Sequence, residues 1–244
     1  MSYQDSKIID TKSLDDEFCI TIDVDWSPEE LIESVINTLN SYKIKATFFA
    51  THPIDVKEHE TALHPNFTSF ERYEETIRKL LQIYPDAKGV RGHRLMTDET
   101  LLLHYEKLGI LYQSSYLMLG LKNIRPFYLE FNIMEIPLFY MDRIHFDDSW
   151  HAKKGFTINS INMDFTGLKV FDFHPIHIFL NTNNRDLYER AKKYYHEPKL
   201  LESYRNKDKE GIGTYFNNLL EYISDNKKKN HTLLQIYEKH RKRS

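Results

Sequence analysis

The segment Phe18-Cys19-Ile20-Thr21-Ile22 has the composition of a buried strand, and it runs directly into Asp23-Val24-Asp25-Trp26. An apolar run of this kind packs inside a fold. Two carboxylates at its end are then expensive to bury unless positive charge offsets them. A bound cation is the usual solution. Histidines follow later strand patterns in the same way: His64 after Ile44–Ala50, His93 after Ala87–Arg91, and His174 with His177 after Leu168–Phe173. Strand and helix patterns alternate between these points, which predicts an α/β fold with a parallel sheet, open or closed into a barrel. In such a fold the carboxyl ends of the strands converge, so these residues are expected to meet at one end.

The helix signals between the strands are specific. Ser27, Pro28 and Glu30 form a predicted capping box ahead of the apolar face Leu31, Val35, Ile36 and Leu39. Thr68 with Glu71 predicts a second cap, before Tyr73, Ile77, Leu80, Leu81 and Tyr84. Thr97 is expected to cap a helix ending near Gly109. Further strands are expected over Ile110–Met118 and Met134–Tyr140, and helices over Arg185–Tyr195, Thr214–Asp225 and Thr232–Arg241. With 244 residues, one domain is expected, a core of about residues 18–181 followed by a helical extension of about 182–244.

Other features narrow the function. The net charge of −3 gives no electrostatic case for nucleic acid or an anionic membrane surface. No apolar run is long enough to span a bilayer, and the first sixteen residues are polar, so the cytoplasm is the expected location. The one cysteine, Cys19, reads as core packing. The triplet Asn66-Phe67-Thr68 fits a glycosylation sequon by chance composition. Lys227-Lys228-Lys229 and the basic tail from His240 read as solvated helix ends. His52 and His59 read as exposed loop residues, and His104, His145, His151, His196, His231 and His240 have no supporting context. Tyr188, Tyr194 and Tyr195 read first as core packing, with stacking on a sugar as the other option.

Taken together, Thr21-Ile22-Asp23-Val24-Asp25, Lys45-Ala46-Thr47-Phe48-Phe49, Leu63-His64-Pro65-Asn66-Phe67, Gly89-Val90-Arg91-Gly92-His93 and Phe171-Asp172-Phe173-His174-Pro175-Ile176-His177 resemble the polysaccharide deacetylases of NodB homology, carbohydrate esterase family 4. The order of these strings is most similar to the WbmS-like branch. The resemblance implies a distorted (β/α)7 barrel and a metal-dependent hydrolase that removes an N-acetyl group from a saccharide. It implies Asp23 as base, Arg91 as the group orienting that base, and His174 as acid. It implies a divalent metal ion, zinc or another first-row ion, on Asp25 and His64. The chain departs from the family's HxxxH motif, because Thr68 stands where the second histidine belongs. The third ligand is then His93 first, or His177. The DxD spacing leaves the roles of Asp23 and Asp25 open to exchange. Two other readings stand beside this one: hydrolysis of another C–N bond in a small molecule, and a sugar-binding protein without turnover.

Overall fold

Three strands buried along their whole length form the centre of the sheet: β1 (Glu17–Asp23), β2 (Ala46–Ala50) and β9 (Lys169–Phe173). Burial on both faces is the mark of a parallel sheet covered by helices. The computed structural model describes residues 17–147 and 154–241, so His151, the polar start and the end of the basic tail lie outside the described residues. Around the central strands lie β3 (Glu60–Leu63), β4 (Gly89–Val90), β5 (Tyr112–Gln113), β6 (Phe127–Tyr128), β7 (Met134–Glu135) and β8 (Tyr140–Met141). The order is β6-β7-β5-β4-β3-β2-β1-β9-β8, with β6 antiparallel and the other pairings in this order parallel.

The sheet curls until one stretch serves both of its ends. Residues 134–141 pair with β5 through β7 and with β9 through β8. Between them, Leu138 N–H donates to the Tyr116 carbonyl and Phe139 N–H to that of Val170. The change of partner thus falls between Leu138 and Phe139, just after Pro137, which has no N–H to give a ladder. Seven parallel positions result, the distorted (β/α)7 barrel that was expected. The sequence pattern read residues 134–140 as one strand; the switch of partner splits it into two short ones.

The helices form where apolar residues recur at helical spacing. Helix α1 (Glu29–Ser41) buries Leu31, Ile32, Val35, Ile36 and Leu39 against the barrel. Helix α2 (Tyr73–Ile83) buries Tyr73, Ile77 and Leu80, and α3 (Glu99–Lys107) ends before Gly109, whose φ of 75° is the left-handed geometry a stop requires.

Three predicted caps are placed differently. Ser27 does not cap α1, which begins after Pro28; its hydroxyl bonds Tyr195 instead. Thr68 lies ahead of a 3-10 turn at Phe70–Arg72, so α2 starts later than the Thr68–Glu71 pattern predicts. Asp98, not Thr97, caps α3 by accepting from Leu101 N–H at 2.8 Å, and Thr97 turns to Gln113. The cap accepts from the N–H three residues on, so Asp98 reaches Leu101, one residue deeper than Thr97 would.

The chain after the barrel returns to it. Helices α4 (Asp142–Asp147) and α5 (Pro175–Leu180) lead into α6 (Arg185–Ala191), which ends earlier than predicted because a 3-10 turn takes over at Lys192–Tyr194. After α7 (Pro198–Leu201), α8 (Ile212–Asp225) packs Tyr215, Phe216, Leu219 and Leu220 into the same cluster as Ile20, Phe48 and Phe171. A short strand, β10 (Lys229–Asn230), pairs with the start of β1, and α9 (Leu233–His240) follows a Thr232–Gln235 capping box, inside the predicted span Thr232–Arg241. Leu233 N–H donates to Thr47 and Leu234 N–H to Glu60, so α9 covers the amino ends of β2 and β3. The carboxyl ends are left for the site.

Candidate active site

Asp23 is the last residue of β1, and the chain beyond it turns sharply. Asp25 and Trp26 both take left-handed backbone angles, with φ of 44° and 58°. Each such residue costs about 1–3 kcal/mol, so neighbouring contacts must hold it. Trp26 N–H donates to Thr51 Oγ1 at 3.0 Å, and the Tyr195 hydroxyl donates to the Asp25 carbonyl at 2.8 Å. The result aims the Asp25 carboxylate inward over the end of the barrel.

Three histidine rings converge on that carboxylate. His64 Nε2 is 3.1 Å from Asp25 Oδ1, His93 Nε2 is 3.8 Å from the same oxygen, and His174 Nε2 is 3.6 Å from Oδ2. They come from the ends of β3, β4 and β9. The six residues singled out from the sequence, Asp23, Asp25, His64, Arg91, His93 and His174, thus meet at one end of the barrel. His177 lies one turn along α5 and also lines the cleft, but its Nδ1 is taken up with Thr182 at 3.3 Å. Thr68 is exposed and is not among the lining residues.

Arg91 is the floor of the site and is fully buried. Its Nη1 donates to Asp23 at 2.7 Å, to Thr21 at 3.0 Å and to Asp172; its Nε and Nη2 bond the carbonyl and hydroxyl of Ser114. The guanidinium also lies 4.0 Å over the Phe49 ring. Burial alone would raise the pKa of Asp23, but Arg91, then His64 and His174, outweigh it and hold the carboxyl below its ordinary range. Asp172 has no such surplus of cations, and burial raises it.

A test of metal fitness lies in the His64 ring. Its Nδ1 faces the Arg91 carbonyl at 2.8 Å, so Nδ1 carries the proton and donates. Nε2 then meets the Asp25 carboxylate at 3.1 Å with either a second proton or a lone pair. A lone pair and a carboxylate oxygen facing each other need a cation between them, and a carbonyl on the distal nitrogen is the usual support of a metal-bound histidine. His93 adds a third donor, with its Nδ1 3.3 Å from Asn66 Oδ1; burial lowers its pKa and keeps the ring neutral. One carboxylate with two imidazoles suits zinc or a similar first-row ion. The residues therefore fit the metal that the fold family implies.

Two other groups of donors lie close together: Asp142 with His174 and His177, and Asp23 with Asp172 and His174. Direct bonds already occupy them. Asp142 Oδ1 accepts from His174 Nδ1 at 2.8 Å and its Oδ2 from His174 N–H at 2.7 Å, while Asp23 and Asp172 share Arg91. Burial would lower the His174 pKa, but the Asp142 charge and hydrogen bond reverse this and hold it well above 6.5. His177, three residues on, lacks such a bond, and burial drives it down to about 4.

Asp142 and Asp172 are the residues that sequence reasoning missed. Asp172 stands between Phe171 and Phe173 in a strand with no exposed position, and a charge there requires a partner; that pattern is a usable signal. Asp142 gives no local signal, because its histidine lies 32 residues away. His59 is corrected: it is buried, and its Nδ1 accepts from Ala46 N–H at 3.2 Å while the ring packs on Phe48. It supports the base of the barrel. His196, given no role from sequence, lines the cleft with Tyr188 and Tyr195. The cleft holds about 660 Å³, room for a sugar residue or two.

The comparisons with known proteins agree with this geometry. The family profile described as WbmS-like polysaccharide deacetylase matches residues 20–192. Among solved structures, the chain is similar to a protein from Bordetella bronchiseptica described as a polysaccharide deacetylase involved in O-antigen biosynthesis, at 22% identity and a TM-score of 0.75, covering 86% of this chain and 91% of that one. It is similar in fold to a polysaccharide deacetylase structure from Mycobacterium smegmatis, at 15% identity and a TM-score of 0.52, covering 95% and 96%. It is similar also to a mutant of a CE4 family pseudoenzyme, at 9% identity and a TM-score of 0.52, covering 91% and 67%. No curated protein matches the chain. With the profile spanning β1 to the end of α6, the chain belongs to the WbmS-like polysaccharide deacetylases.

Proposed function

We propose that the protein is a metal-dependent N-deacetylase of saccharides. The observation that carries this reading is the convergence of three imidazoles on Asp25 beside an Asp23 locked by Arg91. Asp25, His64 and His93 would hold the ion. When bound, it supplies Lewis acidity, polarising the acetamide carbonyl and acidifying water.

The chain's own residues supply the rest. Asp23 is the base: its low pKa leaves it ionised at neutral pH, and the 2.7 Å bond from Arg91 fixes one oxygen so that the other, 3.7 Å from His64, faces the cleft. It takes the proton of the attacking water as the C–O bond forms. His174 is the acid. Its Nδ1–H is committed to Asp142, and its raised pKa keeps Nε2 protonated for donation to the leaving nitrogen as the C–N bond breaks. The products are acetate and a free amine on the sugar. Trp26, Tyr188 and Tyr195 give the cleft flat faces for a sugar ring.

The experiment is acetate release from a panel of N-acetylated mono-, oligo- and nucleotide-linked sugars, with added zinc and after chelation. Release that needs the metal and falls in His174→Ala supports the reading. Binding of a sugar with no release from any metal-loaded preparation would leave a sugar-binding protein instead.

A further inference from the structure

The charged side chains that line the cleft are not evenly matched. Asp23 is paired with Arg91, Asp25 faces His64 and His93, and Asp142 beneath the wall is bonded to His174. Two lining cations are left over. Arg94 is exposed and makes no ion pair among the described residues. Among the described residues Arg143 reaches only Asp147, at 3.8 Å, and Asp147 is bonded more closely by Arg185 at 3.0 Å.

The backbone is bent to place Arg94 there. Arg94 and Leu95 both adopt left-handed angles, with φ of 61° and 60°, in the loop after β4. This repeats the geometry of Asp25 and Trp26 in the loop after β1. Gly92 allows the bend, since a Cβ there would lie 2.2 Å from the Met96 carbonyl oxygen. Leu95 turns to the apolar cluster of Tyr112 and Met134, which leaves Arg94 directed along the cleft. Strained non-glycine residues gather where a side chain must be aimed. For Asp25 the reason is the metal site. For Arg94 the fold offers no ion-pair partner among the described residues, so the reason lies in a ligand. A guanidinium presents a planar fork of donors matched to carboxylate and phosphate oxygens. Beside it, Trp26 is 40% exposed and stands edge-on to His93, a platform for the apolar face of a ring.

We propose that the substrate is an anionic N-acetylated saccharide, carrying a carboxylate on the ring or a phosphate at the anomeric carbon, and that Arg94, aided by Arg143, binds that charge. The assignment of the acetyl group rests on the deacetylase reading; the assignment of the charge does not. The test uses zinc-loaded protein and three sugars: N-acetylglucosamine, its 1-phosphate and N-acetylglucosaminuronic acid. Equilibrium binding is measured by calorimetry, and acetate release separately. At least one charged sugar should bind about 10-fold or more tighter than the neutral one, about 1.4 kcal/mol. Arg94→Gln should abolish that preference, and Arg94→Lys should restore part of it. Preference for the phosphate alone or the uronate alone identifies which group carries the charge. Equal binding of all three by the unaltered protein, or an undiminished preference in Arg94→Gln, overturns the proposal. Preference without acetate release from any sugar would keep the anion site and remove the deacetylase reading.

Discussion

The two sides of the cleft are built on opposite principles. On one side, the loops after β1 and β4 hold four left-handed non-glycine residues, Asp25, Trp26, Arg94 and Leu95, and expose donors that face one another. On the other, His174 and His177 sit at the regular start of α5, against a sealed Asp142, with their ring Nδ1 atoms bonded. On the proposed reading the first side is complete only with a ligand. The second is complete in itself, and it sets proton affinity by the placement of one carboxylate. On the proposed reading, metal binding and proton donation to the leaving group are carried by separate structures, and changes to one should leave the other readable.

The sharpest break is at Asp25. Asp25→Ala should lose both the bound divalent ion and turnover, measured by element analysis and acetate release; full metal content in this variant would move the ion to another set of donors. His174→Ala should lower turnover by about 10²–10⁴-fold with metal content intact, the scale of a lost general acid. Loss of metal along with rate would erase the distinction between the two sides.

Asp142→Asn should act on the same acid more gently. The Asp142 charge holds the His174 pKa up, so its removal should move the alkaline limb of the rate profile to lower pH. A limb that stays in place would show that another group is the acid.

His177 gives the opposite sign in stability. Its folded-state pKa of about 4 lies below the unfolded value near 6.5, so the unfolded chain binds the extra proton. Stability from this residue is present above about pH 6.5 and falls as pH drops toward 4, by about 3 kcal/mol in all. Denaturation midpoints of His177→Gln should therefore fall less steeply across that range than those of the unaltered protein. His174, with its raised pKa, contributes in the reverse sense: its stabilisation is present below 6.5 and is lost only as pH rises through its higher folded value. The smallest effect is expected from Tyr195→Phe, which removes the hydrogen bonds to Ser27 and the Asp25 carbonyl. Thermal denaturation should show a loss of about 1 kcal/mol, together with weaker metal retention because the Asp25 turn is less firmly held.

What the sequence revealed follows the same division. Asp23, Asp25, Arg91, His93 and His174 were legible because each follows a strand pattern, and a parallel barrel brings strand ends together; His64 was read as following β2, whereas it closes β3. The helix faces were legible from their spacing, as with Leu31, Val35, Ile36 and Leu39. Strand β3 was not: Glu60-Thr61-Ala62-Leu63 has only four residues and half of them are polar. Its Glu60 and Thr61 look like loop residues until Tyr112 and Leu234 are seen to use Glu60. Asp142 and Tyr195 were hidden for a different reason. Their partners are 32 and 170 residues away, a distance over which periodicity carries no information. The capping residues failed locally, since Ser27 gave up its cap for a tertiary bond.

Arg91 has a wider consequence. Its bonds tie together the strand or loop ends of β1, β5 and β9, while its own carbonyl fixes His64. Removing it would leave Asp23 and Asp172 as two buried, unmatched acids, so the arginine is a keystone of the barrel as well as a neighbour of the chemistry. On the deacetylase reading, a variant of this fold without turnover would still need Arg91, Asp23 and Asp172 to hold the barrel together, while Asp25 and His93 would be free to change. The arginine and its acids would then report on folding, not on turnover. The position that would report on turnover is Asp25, whose carboxylate meets three imidazoles and no strand.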